Sequence, residues 1–231
     1  MSADYLLHLA GESGGVLYIM ALLLLVALTV IIERTWYLNR VIRHGDGTRR
    51  RLGELGHLDP RSIQRLATDA AGYPHGAVLS VPANFPEVQD PDRLGQLLDE
   101  AILLQAPRID QRMWMLDTIV TLAPLLGLLG TIIGMFNSFE VLGRPGSAPT
   151  EITGGIAEAL VATACGLFIA ILGLVFFNGL NNQVRLVMHQ LDSLKVMVVN
   201  RLDAPRSGPN RLQDRVVSGG AVPSLAGARE G

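Results

Sequence analysis

Cysteine is almost missing from these 231 residues. The lone Cys165 excludes an internal disulfide and any cysteine-based metal site built from this chain alone. There is no P-loop, no G-x-G-x-x-G and no H-E-x-x-H, so no nucleotide site is expected and any energy must come from elsewhere. GESGG at residues 11–15 has the letters of a nucleophile elbow. That motif needs a strand before it and a helix after it, and here it stands in a short tail before an apolar stretch. No enzyme activity, cofactor or bound metal is therefore expected. The histidines, His8, His44, His57, His75 and His189, show no close metal-ligand spacing. For His8 and His57 a ligand role is the sharper reading and a solvated surface imidazole the plainer one. A net charge of −2 gives no global sign of nucleic acid.

What is present is apolar sequence in long blocks, with 49% of residues hydrophobic and 17% charged. A bilayer core is crossed by roughly 20 apolar residues in helical form. Residues 16–32 carry no charge, residues 118–139 lie between Asp117 and Glu140, and a third stretch runs from about 152 to 180 with Glu158 inside it. The first block is not read as a signal peptide, because the tail before it has Asp4 and Glu12 but no Lys or Arg. Glu33, Arg34, Trp36, Tyr37 and Arg40 follow it as a charged and aromatic belt, which fits a retained anchor.

Basic residues set the expected orientation. None precedes residue 16, whereas Arg34, Arg40, Arg43, Arg49, Arg50 and Arg51 follow the first span. Only Arg144 stands between spans two and three, and Arg185, Lys195 and Arg201 follow the third. The expected protein is all-α, an integral membrane protein of three transmembrane helices with the N-terminus out and the C-terminus in. Its parts are a periplasmic tail (1–15), span one (16–38), a cytoplasmic helical region (39–117) and span two (118–141). A periplasmic linker (142–151), span three (152–181), a cytoplasmic helix extension (182–203) and a disordered tail (204–231) complete it. That tail is rich in Gly, Pro, Ser and Arg; it has too little apolar sequence to order itself. Its arginines either touch anionic lipid heads or are merely solvated.

Within 39–117, residues 59–72 form an expected helix with an Asp cap, a Pro at the first position and a Gly at the end. Residues 73–91 hold several prolines and are expected as a loop. Residues 90–106 repeat the Asp-Pro start, and Pro107 is expected to kink or restart the helix leading into span two.

On a helical wheel, Ala123, Gly127, Thr131, Gly134 and Ser138 share one sector of span two, with Gly130 beside them. In span three the stripe is Gly155, Ala159, Ala162, Gly166, Ala170 and Gly173, with Thr163 at its margin. Such stripes let membrane helices approach closely, so Gly127, Gly130, Gly134, Gly155 and Gly166 are packing candidates. Pro124 is a kink candidate. Glu158 is harder to dismiss. A charge at the centre of a membrane helix costs about 2.5 to 3.5 kcal/mol on insertion scales, and such residues usually face a bundle interior or a wet cavity on an ion path. Glu158 sits beside the small stripe on the edge with Ala162, Cys165 and Ile169, an edge that can face a lumen. No Lys or Arg stands inside spans two or three to balance it. Thr131 and Thr163 bring hydroxyls to overlapping depths, and a carboxyl with hydroxyls and water is a candidate proton or cation route. The competing reading is a scaffold in which Glu158 only fixes oligomer assembly. A solute transporter would want more spans or repeated halves.

LAPLLGLLGTIIGMFNSF (122–139) followed by GIAEALVATACGLFIAILGLVFFN (155–178) resembles the core of the ExbB/TolQ/MotA proton-channel family, closest to its ExbB and TolQ branch, and IIERTWYL (31–38) is also similar. The resemblance implies an inner-membrane pentamer around a dimer of a single-span ExbD/TolR-type partner. It implies proton flow that drives a TonB- or TolA-type periplasmic transducer, for outer-membrane import or Tol-Pal envelope work. It also places Thr131, Thr163 and Glu158 at pore-lining positions, with the essential aspartate on the partner. Asn178 fits the pattern. Leu172 departs from it, since close relatives often have proline there.

Overall fold

The computed structural model describes residues 15–55, 59–88, 90–142 and 149–202. Among these, every regular element is helical. Six helices follow in order: α1 Val16–Glu54, α2 Pro60–Asp69, α3 Pro74–Asn84, α4 Pro91–Ile109, α5 Met113–Leu142 and α6 Pro149–Leu202. The expected disordered tail, nearly all of the N-terminal tail and most of the second linker lie outside the described residues, as do His8 and His57.

Three helices, α1, α5 and α6, are long and apolar enough to cross a membrane. At 1.5 Å per residue, the 39 residues of α1 and the 54 of α6 reach about 58 and 80 Å. Both exceed a hydrocarbon core of about 30 Å, so both must project from it. They project on the same side, because they run parallel. Gln183 of α6 donates to Asn39 of α1, Gln190 donates to Asp46, and Arg201 donates to the carbonyl oxygens of Leu55 and Gly53. Helix α5 is antiparallel to α6. Val120 meets Gly173, Ala123 meets Gly166, Gly130 meets Ala162 and Ser138 meets Gly155.

On α1, Ala27, Ile31, Arg34, Leu38, Val41 and Gly45 are all buried. Their spacing of three and four makes one stripe along the helix, and it continues from the apolar half into the polar half. Helices α2 to α4 pack beside the projecting ends of α1 and α6. Arg51 pairs with Asp69 of α2 at 3.1 Å, and Lys195 pairs with Asp99 of α4 at 2.6 Å.

One local expectation is corrected and another narrowed. Residues 74–84 are a helix, α3, instead of a loop. Pro74 stands at its first turn, where a missing N–H costs nothing. Pro82 lies in the last turn, and burial of His75, Val78, Leu79 and Val81 against neighbouring helices outweighs it. Of the two outcomes expected at Pro107, a restart does not occur there, since α4 runs through it to Ile109. The break comes at Asp110–Arg112, where Arg112 takes φ 64°; among the described residues it is the one non-glycine in the left-handed region. Asp90 caps α4 as its Asp-Pro start suggests, accepting from the N–H groups of Asp92 and Arg93.

Candidate functional site

The small residues of α5 and α6 form a seam with almost no side-chain volume. A methyl group on Gly127 would stand 3.0 Å from the carbonyl oxygen of Ala162 and from Cα of Thr163. One on Gly166 would stand 2.5 Å from the carbonyl oxygen of Ala123. On Gly130 and Gly134 it would fall 2.7 Å from the Cβ atoms of Ala162 and Ala159. On Gly155 it would collide with the Ser138 hydroxyl. Backbone therefore lies on backbone, and van der Waals contact over the whole seam supplies the adhesion. Pro124 is inside α5, which continues on both sides of it. Helix α6 is likewise unbroken through Leu172.

The hydroxyls of this seam are engaged. Thr163 Oγ1 donates to the Gly127 carbonyl across the seam at 2.9 Å. Thr131 Oγ1 donates to the Leu128 carbonyl in its own helix at 2.6 Å. Ser138 does the same with Gly134 at 2.9 Å. A hydroxyl has one proton to give, so Thr131 and Thr163 meet further partners in this arrangement through their lone pairs.

Glu158 and the two threonines share a depth range but not a face. Glu158 and Thr163 are five residues apart on α6, which is about 7.5 Å along the axis and about 140° around it. The antiparallel contacts put Thr131 at a level between them. Around the helix, Ala162 faces Gly130, which also abuts Val16 of α1. Glu158, one turn before Ala162, therefore lies toward α1, and Thr163 lies on the far edge of the seam. The edge expected to face a lumen is largely covered within the chain: Ala162 and Ile169 are buried, Cys165 and Glu158 half-buried. The opposite faces carry exposed large side chains, Leu128, Ile132, Phe136 and Phe139 on α5 and Leu160, Leu167, Phe168 and Ile171 on α6.

A second polar cluster, missed from sequence, ties α1, α3 and α6 outside the apolar stretches. His75 is fully buried, and its Nε2 donates to Gln190 Oε1 at 3.2 Å. Gln190 Nε2 donates in turn to Asp46 Oδ1 at 3.0 Å and to the Ile42 carbonyl at 3.4 Å. His75 seats directly on Gly45, where a side chain would collide with the ring. Burial lowers the His75 pKa to about 4, against the opposing pull of Gln190 and Asp46. The ring is thus neutral in ordinary buffers. The available signal was Gly45, which falls on the buried stripe of α1 at a position where a large neighbour can close in. Arg34 was read as part of an interfacial belt, yet it lies on that same stripe and is 2% exposed.

A profile of the MotA/TolQ/ExbB proton channel family matches residues 74–193. That stretch holds α3, α4, α5 and most of α6, including Thr131, Glu158 and Thr163. The chain belongs to this family. The family match reaches well beyond the two spans that carry the motif, into the helices packed outside the apolar stretches. The chain is 31% identical to a Synechocystis protein named ExbB-like 1 over 185 residues, covering 78% of this chain and 71% of the other. It is 36% identical to the biopolymer transport protein ExbB of Neisseria gonorrhoeae over 102 residues, 42% of this chain and 46% of that one. With the ExbB of Aquifex aeolicus it shares 40% identity over 78 residues, 33% of this chain and 53% of the other. The protein is thus a membrane protein of the proton-channel family on its ExbB-like side.

Proposed function

We propose that this chain is the multi-span subunit of an inner-membrane complex that lets protons down their gradient and converts the flow into motion. The N-terminus lies in the periplasm, and helices α2 to α4 with the projecting ends of α1 and α6 lie in the cytoplasm. Copies of the chain surround a single-span partner of the ExbD/TolR type, five by family resemblance, and the partner's span brings the aspartate that carries the proton. The output is work on a TonB- or TolA-type transducer, either nutrient import across the outer membrane or Tol-Pal envelope upkeep. No nucleotide, cofactor or enzymatic step is required. One charge crossing the membrane field gains about 2.3 kcal/mol per 100 mV, enough to bias an element whose two states differ modestly.

The observation that carries this reading is Glu158, a half-buried carboxyl within an apolar helix, at the level of two hydroxyls in the segment that matches the family. The test is proton flux in proteoliposomes holding the chain and its partner. Glu158→Ala is expected to insert and assemble while proton-driven activity is lost. If that variant still supports full partner-dependent transport, Glu158 does not conduct.

A second reading, a scaffold that fixes assembly without conducting, is favoured by the threonines alone. Both donate to backbone carbonyls, and Thr163 clamps α6 to α5. Thr163→Val separates the two, because it removes the hydroxyl at similar volume, and Thr163→Ser, which keeps the hydroxyl for either role, is the control. Loss of assembly in Thr163→Val marks a scaffold, and loss of flux with assembly intact marks a conduit.

A further inference from the structure

Asp117 stands in the second turn of α5, is exposed, and makes no ion pair among the described residues. Trp114, one turn nearer the start of α5, and Trp36 of α1 are both exposed. They share a level, because Arg112 pairs with Glu33 where the two helices pass. Exposed tryptophans beside charges mark the boundary between headgroups and acyl chains. Asp117 lies about 4.5 Å along the axis from Trp114, on the apolar side of that boundary. A carboxylate there needs water or a counter-charge.

The seam fixes which way this carboxylate faces. Asp117, Thr121, Pro124, Leu128 and Thr131 fall in one sector of α5, about 80° wide. Ala123, Gly127, Gly130 and Gly134 of the seam lie to one side of it, and Gly130, the farthest from the sector, is the one that meets Val16 of α1. The sector is therefore on the edge away from α1, where Thr163 of α6 closes onto the Gly127 carbonyl. It carries acceptors along its length. Thr121 Oγ1 donates its proton to the carbonyl oxygens of Asp117 and Thr118, at 3.2 and 2.9 Å, so its lone pairs stay open. Pro124 has no N–H, which leaves the half-buried Val120 carbonyl without its helical donor. From Thr131 to Asp117 the line covers about 21 Å.

We propose that Asp117 is the proton-transfer group at the cytoplasmic mouth of the conduit, at the end of a wet line that runs along the threonine edge of α5. This rests on the proton-channel reading and adds to it the exit and the residue that serves it. A hydronium ion arriving along the edge gives its proton to the Asp117 carboxylate and leaves as water. The neutral acid then passes the proton to cytoplasmic water and returns to carboxylate. One proton crosses, and nothing else is consumed.

Two measurements on proteoliposomes holding the chain and its partner test this. In the first, Asp117→Asn is expected to lower proton flux at least fivefold, with the oligomer and its thermal unfolding unchanged, and Asp117→Glu, which keeps the carboxylate, to restore it. The second reads water directly. In a Cys165→Ala background, Thr121→Cys is expected to react with a membrane-impermeant cationic thiol reagent added on the cytoplasmic face. Leu122→Cys, at the same depth but about 100° around the helix, is expected to stay unlabelled. Native flux in Asp117→Asn overturns the proposal, as does silence at Thr121→Cys or equal labelling of both sites. If Asp117→Asn fails to assemble, the labelling decides alone. Where Asp117→Asn conducts normally and Glu158→Ala does not, the exit is wrong and the proton-channel reading stands. A native complex that passes no protons removes that reading and the proposal with it.

Discussion

Helix α6 is held in two different ways along its length. In its first half it meets α5 through glycine and alanine, backbone against backbone. In its second half it meets α1 and α3 through a polar chain, His75 to Gln190 to Asp46. The difference follows from the solvent each half has to contend with. In lipid, apolar burial gives no advantage over acyl tails, so close approach is the available source of adhesion. Outside lipid, apolar burial already favours collapse, and a buried hydrogen-bond chain is satisfied in only one register. The seam in the apolar half is selected by volume and the seam in the polar half by donor and acceptor order.

The sharpest break of this contrast is in the apolar half. Glu158→Ala removes the one carboxyl of that half of α6 that stands within its apolar turns, and the expected outcome is near-complete loss of proton flux with assembly retained. Next in size is Gly134→Leu, whose side chain has no room against Ala159 and the Gly155 carbonyl. It is expected to abolish oligomers on native mass spectrometry, and an intact oligomer would count against close approach as the source of adhesion.

In the polar half, Gly45→Ala is expected to lower stability by about 1–3 kcal/mol, since its methyl collides with the His75 ring. Thermal unfolding in detergent measures it, and His75→Ala in the same background should recover part of the loss. The same seam carries a pH dependence. The folded pKa of His75, about 4, lies below the ordinary 6.5. Burial of the neutral ring is therefore fully tolerated above pH 6.5, and stability is lost as pH falls from there through 4. The total is about 3 kcal/mol, and His75→Gln should flatten the curve between those limits. The smallest effect is Asp90→Ala at the α4 cap, about 1 kcal/mol, which touches neither seam and calibrates the other losses.

The three membrane helices were legible because lipid imposes a composition that sequence displays directly. The stripes of α5 and α6 were legible because glycine and alanine repeat at helical spacing. Helix α3 was not, because proline marks a loop only where burial does not overrule it, and burial of Val78 and Leu79 belongs to tertiary structure. The depth shared by Glu158, Thr131 and Thr163 followed from antiparallel register. Their separation around α6 did not, because it depends on which side α1 takes, and Val16 against Gly130 is a contact between distant parts of the chain. His75 and Arg34 were hidden for the same reason: polar residues read as exposed until their neighbours are known.

The 54 residues of α6 contain no break between the seam with α5 and the seam with α1. A rod of that kind has no joint in which to absorb torque. If the membrane half of α6 turns by even a fraction of a side-chain spacing, Gln190 must turn with it, and the contact with His75 must slip or pull α3 along. A rotation begun at Glu158 would thus be delivered mechanically to a place some 48 Å away along the axis, with no messenger other than the stiffness of the helix.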